Sequence, residues 1–104
     1  MEFKKHISLY GARDYMMHDT LLDALQSACG DIEWNHANPL KITLEDGTEV
    51  ISKAQISDAY ATYTDWLDKD RDDDYDPAPW LALVKWCEEK EQELAAEAHA
   101  GNDD

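Results

Sequence analysis

The stretch Leu40-Lys41-Ile42-Thr43-Leu44-Glu45-Asp46-Gly47-Thr48-Glu49-Val50-Ile51-Ser52-Lys53-Ala54-Gln55 decides the fold class. Leu40 to Leu44 alternates apolar and polar residues, with β-branched Ile42 and Thr43 at its centre, which is strand chemistry. Asp46-Gly47 is a hairpin turn signal, because both positions tolerate positive φ. Thr48 to Ile51 then returns as the second strand. Ser52-Lys53-Ala54-Gln55 matches a capping box, in which serine and glutamine satisfy each other's exposed backbone donors. Ile51 before the cap and Ile56 after it are placed as a hydrophobic staple. A hairpin running directly into a capped helix predicts an α+β fold.

Outward from that stretch, Ile56, Ala59, Tyr60, Tyr63, Trp66 and Leu67 form one apolar stripe, so the helix runs from about Lys53 to Leu67. Asp76-Pro77 opens a last helix, with aspartate as N-cap and proline in the first turn. Trp80, Leu83, Val84, Cys87 and Leu94 are its buried stripe, and most of Trp34, Trp66, Trp80 and Trp86 belong to the core. Towards the N-terminus, Phe3 to Tyr10 reads as a short strand broken by Gly11. Ala12 to Cys29 has helical periodicity through Tyr15, His18, Leu22, Leu25 and Cys29, and Gly30 is its natural stop. Asp19-Thr20 offers a later N-cap for the same helix. Asp31 to Pro39 is an irregular link or a short edge strand. The expectation is three helices with a small antiparallel β-hairpin or three-stranded sheet. The 104 residues form a single domain, with residues 101–104 a disordered acidic tail.

Charge is the dominant functional signal. The formal net charge is −15, and seven of the twelve residues from Asp65 to Asp76 are aspartates. Asp68, Asp70, Asp72, Asp74 and Asp76 alternate strictly, with Asp65 and Asp73 beside them. So much like charge calls for a divalent ion, a basic protein surface, or water alone. As a calcium loop, Asp68, Asp70 and Asp72 would take the first three odd positions. The required glycine is replaced by Asp73, and the required glutamate by Pro79. Those departures argue against a metal. In an extended segment, residues two apart share a side at roughly 6.5 Å, a spacing comparable to nucleic-acid phosphates. On the last helix, Glu89, Glu93 and Glu97 repeat at about 6 Å along one face, although Lys85 and Lys90 offset part of that charge. Like charges four residues apart weaken a helix slightly, so the array hints at a partner.

The acidic balance disfavours direct nucleic-acid binding, which needs basic surface, and anionic membranes. It favours a basic partner through long-range attraction. Averaged over a folded surface of about 6,000 Å², the charge is much sparser than that of duplex DNA, so mimicry requires a concentrated face. No apolar run is long enough to span a membrane. Met1 to Ile7 does not read as a signal peptide, so a cytoplasmic location is expected. Cys29 and Cys87 fall on apolar helix faces and read as reduced, buried thiols. His6, His18, His36 and His99 are scattered without metal-ligand spacing, and His18 reads as a core histidine. No nucleophile, metal set or phosphate-binding glycine loop is evident, so no cofactor and no enzymatic activity are expected.

Asp65 to Asp76 and Glu88 to Glu97 make the chain similar, in size and composition, to the small acidic inhibitors of phages and mobile elements. Those include DNA-mimic anti-restriction and anti-CRISPR proteins. The resemblance implies a protein that occupies a basic, nucleic-acid-binding surface of a partner protein or nucleoprotein complex and inhibits it. The partner-binding residues would be Asp65, Asp68, Asp70, Asp72, Asp73, Asp74, Asp76, Glu89, Glu93 and Glu97. Two other readings stand beside this one. An immunity protein or antitoxin neutralising a basic toxin would use the same acidic face, whereas an accessory protein would use acidity only for solubility.

Overall fold

Tyr10 and Gly11 both take positive φ, 51° and 82°. Two such residues in succession make the tight turn whose twist matches paired antiparallel strands. The turn joins β1 (Phe3–Leu9) to β2 (Ala12–His18), paired from Phe3↔His18 to Leu9↔Ala12 without a register shift. The helix expected from Ala12 is therefore corrected, since its first seven residues are a strand. The apolar spacing of Tyr15, His18 and Leu22 spans two elements and imitates a helical face. The computed structural model describes residues 1–100, with side-chain surroundings as far as Glu97. The tail expected at 101–104 and the side chain of His99 lie outside the described residues.

Helix α1 (Leu21–Glu33) begins at the later of the two expected points. The Thr20 hydroxyl accepts from Asp23 N at 3.0 Å, a side-chain N-cap. The helix continues through Gly30, where a Cβ would meet Tyr63 Oη at 3.5 Å. That is ordinary contact, so no close approach demands glycine there, and the predicted stop moves to Asn35. Asn35 takes φ 54°. Its N–H donates to Ile32 O and the His36 N–H to Asp31 O, which closes the helix as a Schellman motif.

β3 (Asn38–Leu44) and β4 (Glu49–Ile51) form the expected hairpin, with Gly47 at φ 95° and Thr48 N donating to Asp46 Oδ1. β3 pairs with β1 on its far side, giving one antiparallel sheet in the order β2-β1-β3-β4. The sheet has four strands where two or three were expected, because β2 replaces the first half of a helix. α2 (Lys53–Leu67) has the predicted bounds. Both capping-box bonds are present, Gln55 N to Ser52 Oγ and Ser52 N to Gln55 Oε1. A single 3-10 turn (Lys69–Arg71) follows, and α3 (Ala78–Ala100) completes an α+β fold.

One side of the sheet carries the core. Phe3, Ile42, Val50 and Ile51 meet Leu21, Leu25, Ala28 and Cys29 of α1, Ile56, Ala59 and Tyr63 of α2, and Cys87 and Leu94 of α3. Lys5 breaks the apolar pattern of β1 and is 1 % exposed. Its ammonium donates to Asp31 Oδ2 at 2.5 Å and to Ser27 Oγ at 2.6 Å, so a buried cation is matched by acceptors on α1. At the other end of α1, the Glu91 carboxylate accepts from Leu21 N and pins α3 to that terminus.

Candidate functional site

The aspartate segment does not extend. Arg71 N donates to Asp68 O in the 3-10 turn, and Tyr75 N donates to Asp72 O in the next one. Asp72 Oδ1 accepts from Asp74 N, and Asp76 Oδ1 accepts from Ala78 N at the start of α3. Aspartates favour such turns because the short carboxylate satisfies a backbone donor two residues on. The alternating ladder expected along Asp68–Asp76 is corrected to a folded loop.

Folding brings the carboxylates together in a different way. Asp65, Asp68, Asp72, Asp74 and Asp76 line one cavity of about 230 Å³ between the end of α2 and the start of α3. Thr62, Tyr75, Pro79 and Trp80 complete its wall. Asp70 and Asp73 are exposed and do not line it. None of the five pocket carboxylates takes part in an ion pair among the described residues. Among those residues, no three potential ligands converge tightly enough to hold a metal ion. The carboxylates surround a space, a geometry that accommodates an extended organic cation.

Aromatic packing fixes the loop. Trp66 and Trp80 stack with centroids 4.4 Å apart and planes 13° from parallel. Tyr63 packs against both, at 6.1 Å and 6.5 Å. Lys69 Nζ sits 4.6 Å from the Trp66 centroid, so a cation from the loop already uses one aromatic face. The expectation that most tryptophans are core is corrected. Trp66 and Trp80 are half-buried, whereas Trp34 and Trp86 are exposed.

Trp86 belongs to a feature that sequence reasoning missed. Next to the acidic cavity lies an apolar groove of about 350 Å³, with Ile51, Ala59, Pro79, Leu83 and Trp86 among its walls. Thr62 and Pro79 line both spaces. The signal was present in the chain, since Pro79, Leu83 and Trp86 recur at helical spacing. Leu83 was assigned to the buried stripe and most of the tryptophans to the core, and Pro79 was not read as part of a groove.

Glu89, Glu93 and Glu97 are exposed on α3 and lie outside this cavity. Lys85 pairs with Glu89 and Lys90 with Glu93, each at 3.8 Å. Exposed pairs of this kind contribute little energy but do reduce the local charge. By helix geometry, Glu93 and Glu97 share roughly the side of α3 that Pro79 occupies, about 20–27 Å further along. The glutamates thus continue one side of the groove without joining the pocket.

The histidines and cysteines among the described residues do not line the aspartate cavity. His18 ends β2 and does not lie on a helix, and its Nδ1 is 2.9 Å from Asp23 Oδ2. His6 Nε2 is 2.8 Å from Thr43 Oγ1, and burial together with Lys41 and Lys4 holds its pKa below the usual histidine value. Cys29 and Cys87 are free and buried, and burial pushes both thiols up to about 12. Such thiols are poor nucleophiles. No helix among the described residues is long and apolar enough to cross a membrane. No family model matches the chain, and no curated protein or solved structure is significantly similar to it.

Proposed function

We propose that this is an acidic binding protein that occupies a basic, nucleic-acid-binding surface of a partner protein or nucleoprotein complex and inhibits it. It works in the cytoplasm, by binding and not by catalysis, without a cofactor and without contacting nucleic acid itself. The observation that supports this reading is the convergence on one cavity with an aromatic wall of five aspartates that make no ion pair among the described residues. A surface that holds phosphates projects arginine and lysine side chains. A guanidinium entering the cavity would gain charge-assisted hydrogen bonds from the aspartates and a cation–aromatic contact with Trp80. The adjacent groove would take an apolar side chain against Trp86, the kind of aromatic anchor that slows dissociation. Distributed acidity would speed encounter, and Glu93 and Glu97 would extend the contact along α3.

The test is capture of partners from nuclease-treated lysate on immobilised protein, eluted in steps of rising salt and identified by mass spectrometry. A basic nucleic-acid-binding protein or complex released at moderate salt, and inhibited by the free protein, supports the proposal. A basic toxin as the sole product would favour an immunity role for the same face. Recovery of nothing would reduce the acidity to a solubility device.

A further inference from the structure

The two edges of the sheet are built differently. β4 is three residues long and runs straight into α2, a short edge of the kind proteins use to prevent strand pairing. β2 is seven residues long, has no proline and no bulge, and among the described residues pairs only with β1. From Ala12 to Met17 every residue of it is exposed. Tyr15 is 51 %, Met16 50 % and Met17 38 % exposed, three consecutive large side chains covering both faces of the strand. Arginine, tyrosine and methionine are the residue types enriched in protein interfaces. In a chain of net charge −15, β2 itself is free of net formal charge, because Arg13 balances Asp14.

The backbone gives the register. Tyr15 N–H donates to the Asp14 carboxylate at 2.8 Å, so it points away from β1. Antiparallel strands alternate in this respect, so Arg13, Tyr15 and Met17 all present N–H and C=O to the free edge. Those three positions are symmetric about Tyr15. We propose that two copies of the chain join β2 to β2 antiparallel, about a two-fold axis at Tyr15, into one continuous eight-stranded sheet.

In that register Tyr15 exchanges both backbone bonds with Tyr15 of the second copy, and Arg13 does so with Met17 on each side. Arg13 also lies diagonally across from Tyr15 of the second copy, within reach of its ring. The Asp14 carboxylate opposes the pairing. It occupies the central N–H in the free chain, and it faces its own counterpart diagonally in the dimer. This surface is independent of the aspartate cavity, and its pairing is an association of like copies, not of opposite charges.

Sedimentation equilibrium of the full chain over a wide concentration range tests the proposal. The dimer should tighten by about threefold or more between about 50 mM and about 500 mM salt, because salt screens the repulsion of two acidic chains. Asp14→Ala should tighten it by about threefold, by freeing the central donor. Tyr15→Pro removes that donor while leaving the β1 ladder intact, since proline is tolerated where an edge N–H faces outward, and it should weaken the dimer by about tenfold or more. Unchanged far-UV circular dichroism checks the fold of that variant. If it does not fold, the salt series and Asp14→Ala decide. A chain that stays monomeric in wild-type and Asp14→Ala forms would overturn the proposal. A dimer that loosens with salt would also overturn it, because that is the signature of acidic-to-basic docking.

Discussion

The Trp66 and Trp80 indoles stack at 4.4 Å although one closes α2 and the other opens α3. The acidic loop between them is thereby tied at both ends, and its carboxylates are held around a cavity in spite of their mutual repulsion. Trp80→Ala removes the stack and one wall of the pocket. The ring is only half-buried, so the loss should be about 2–3 kcal/mol, at or below the lower end of the range for large aromatic truncations. Chemical denaturation measures it, and a cost below about 0.5 kcal/mol would mean that the stack does not organise this end of the molecule.

The Lys5–Asp31 pair joins the central strand to α1 at 2.5 Å, with Lys5 1 % exposed. Asp31→Ala leaves a buried ammonium without its counter-charge and should cost about 3–5 kcal/mol. The double variant Lys5→Met with Asp31→Leu removes both charges and should be markedly more stable than Asp31→Ala alone. Urea titration of the three proteins separates the cost of an orphaned charge from the worth of the pair.

Ser52 caps α2 through Gln55 N, and Gln55 returns a bond to Ser52 N. Ser52→Ala should lower stability by about 1 kcal/mol, the usual cost of losing such a cap. Thermal melting detects it as a drop of several degrees.

Cys29 and Cys87 are buried, with thiol pKa values pushed from 9.0 up to about 12. The unfolded chain ionises them first, so their contribution is fully present below pH 9. It is lost as pH rises from there towards 12. Tyr60, mainly through its bond to Glu33, and Tyr63, mainly through burial, are shifted upward as well and act in the same direction. The melting temperature should fall progressively above pH 9, and a Cys29→Ala/Cys87→Ala variant should show a shallower fall. Native protein at pH 8 should resist thiol alkylation until denaturant is added.

Local chemistry written in contiguous residues was legible. The capping box at Ser52, the hairpin at Asp46-Gly47 and the bounds of α2 depend on neighbours in sequence, and all three are present. The strand at Ala12–His18 was not legible, because an exposed edge strand has no buried face to impose period-two alternation. Tyr10-Gly11 is a weaker hairpin signal than Asn-Gly or Asp-Gly. Gly30 was misread as a stop, because a glycine inside a helix does not by itself end it; the backbone closes the helix further on, at Asn35. The aspartate segment was identified as the acidic centre, but its shape was not. Side-chain turns at Asp72 and Asp76 outweigh the extension that repulsion alone would produce. The groove beside it depends on how α2 and α3 pack, which no single segment encodes.

The central claim is that the pocket aspartates bind the partner and the outer ones do not. The direct measurement compares the wild-type protein, Asp65→Asn/Asp72→Asn/Asp74→Asn and Asp70→Asn/Asp73→Asn for capture of the partner from nuclease-treated lysate at physiological salt. The pocket variant should bind about tenfold or more weakly, the scale expected when desolvated charge pairs are lost, while the outer variant stays within about threefold of wild type. Equal loss in both variants would reduce the site to diffuse charge, and undiminished binding by the pocket variant would contradict the account.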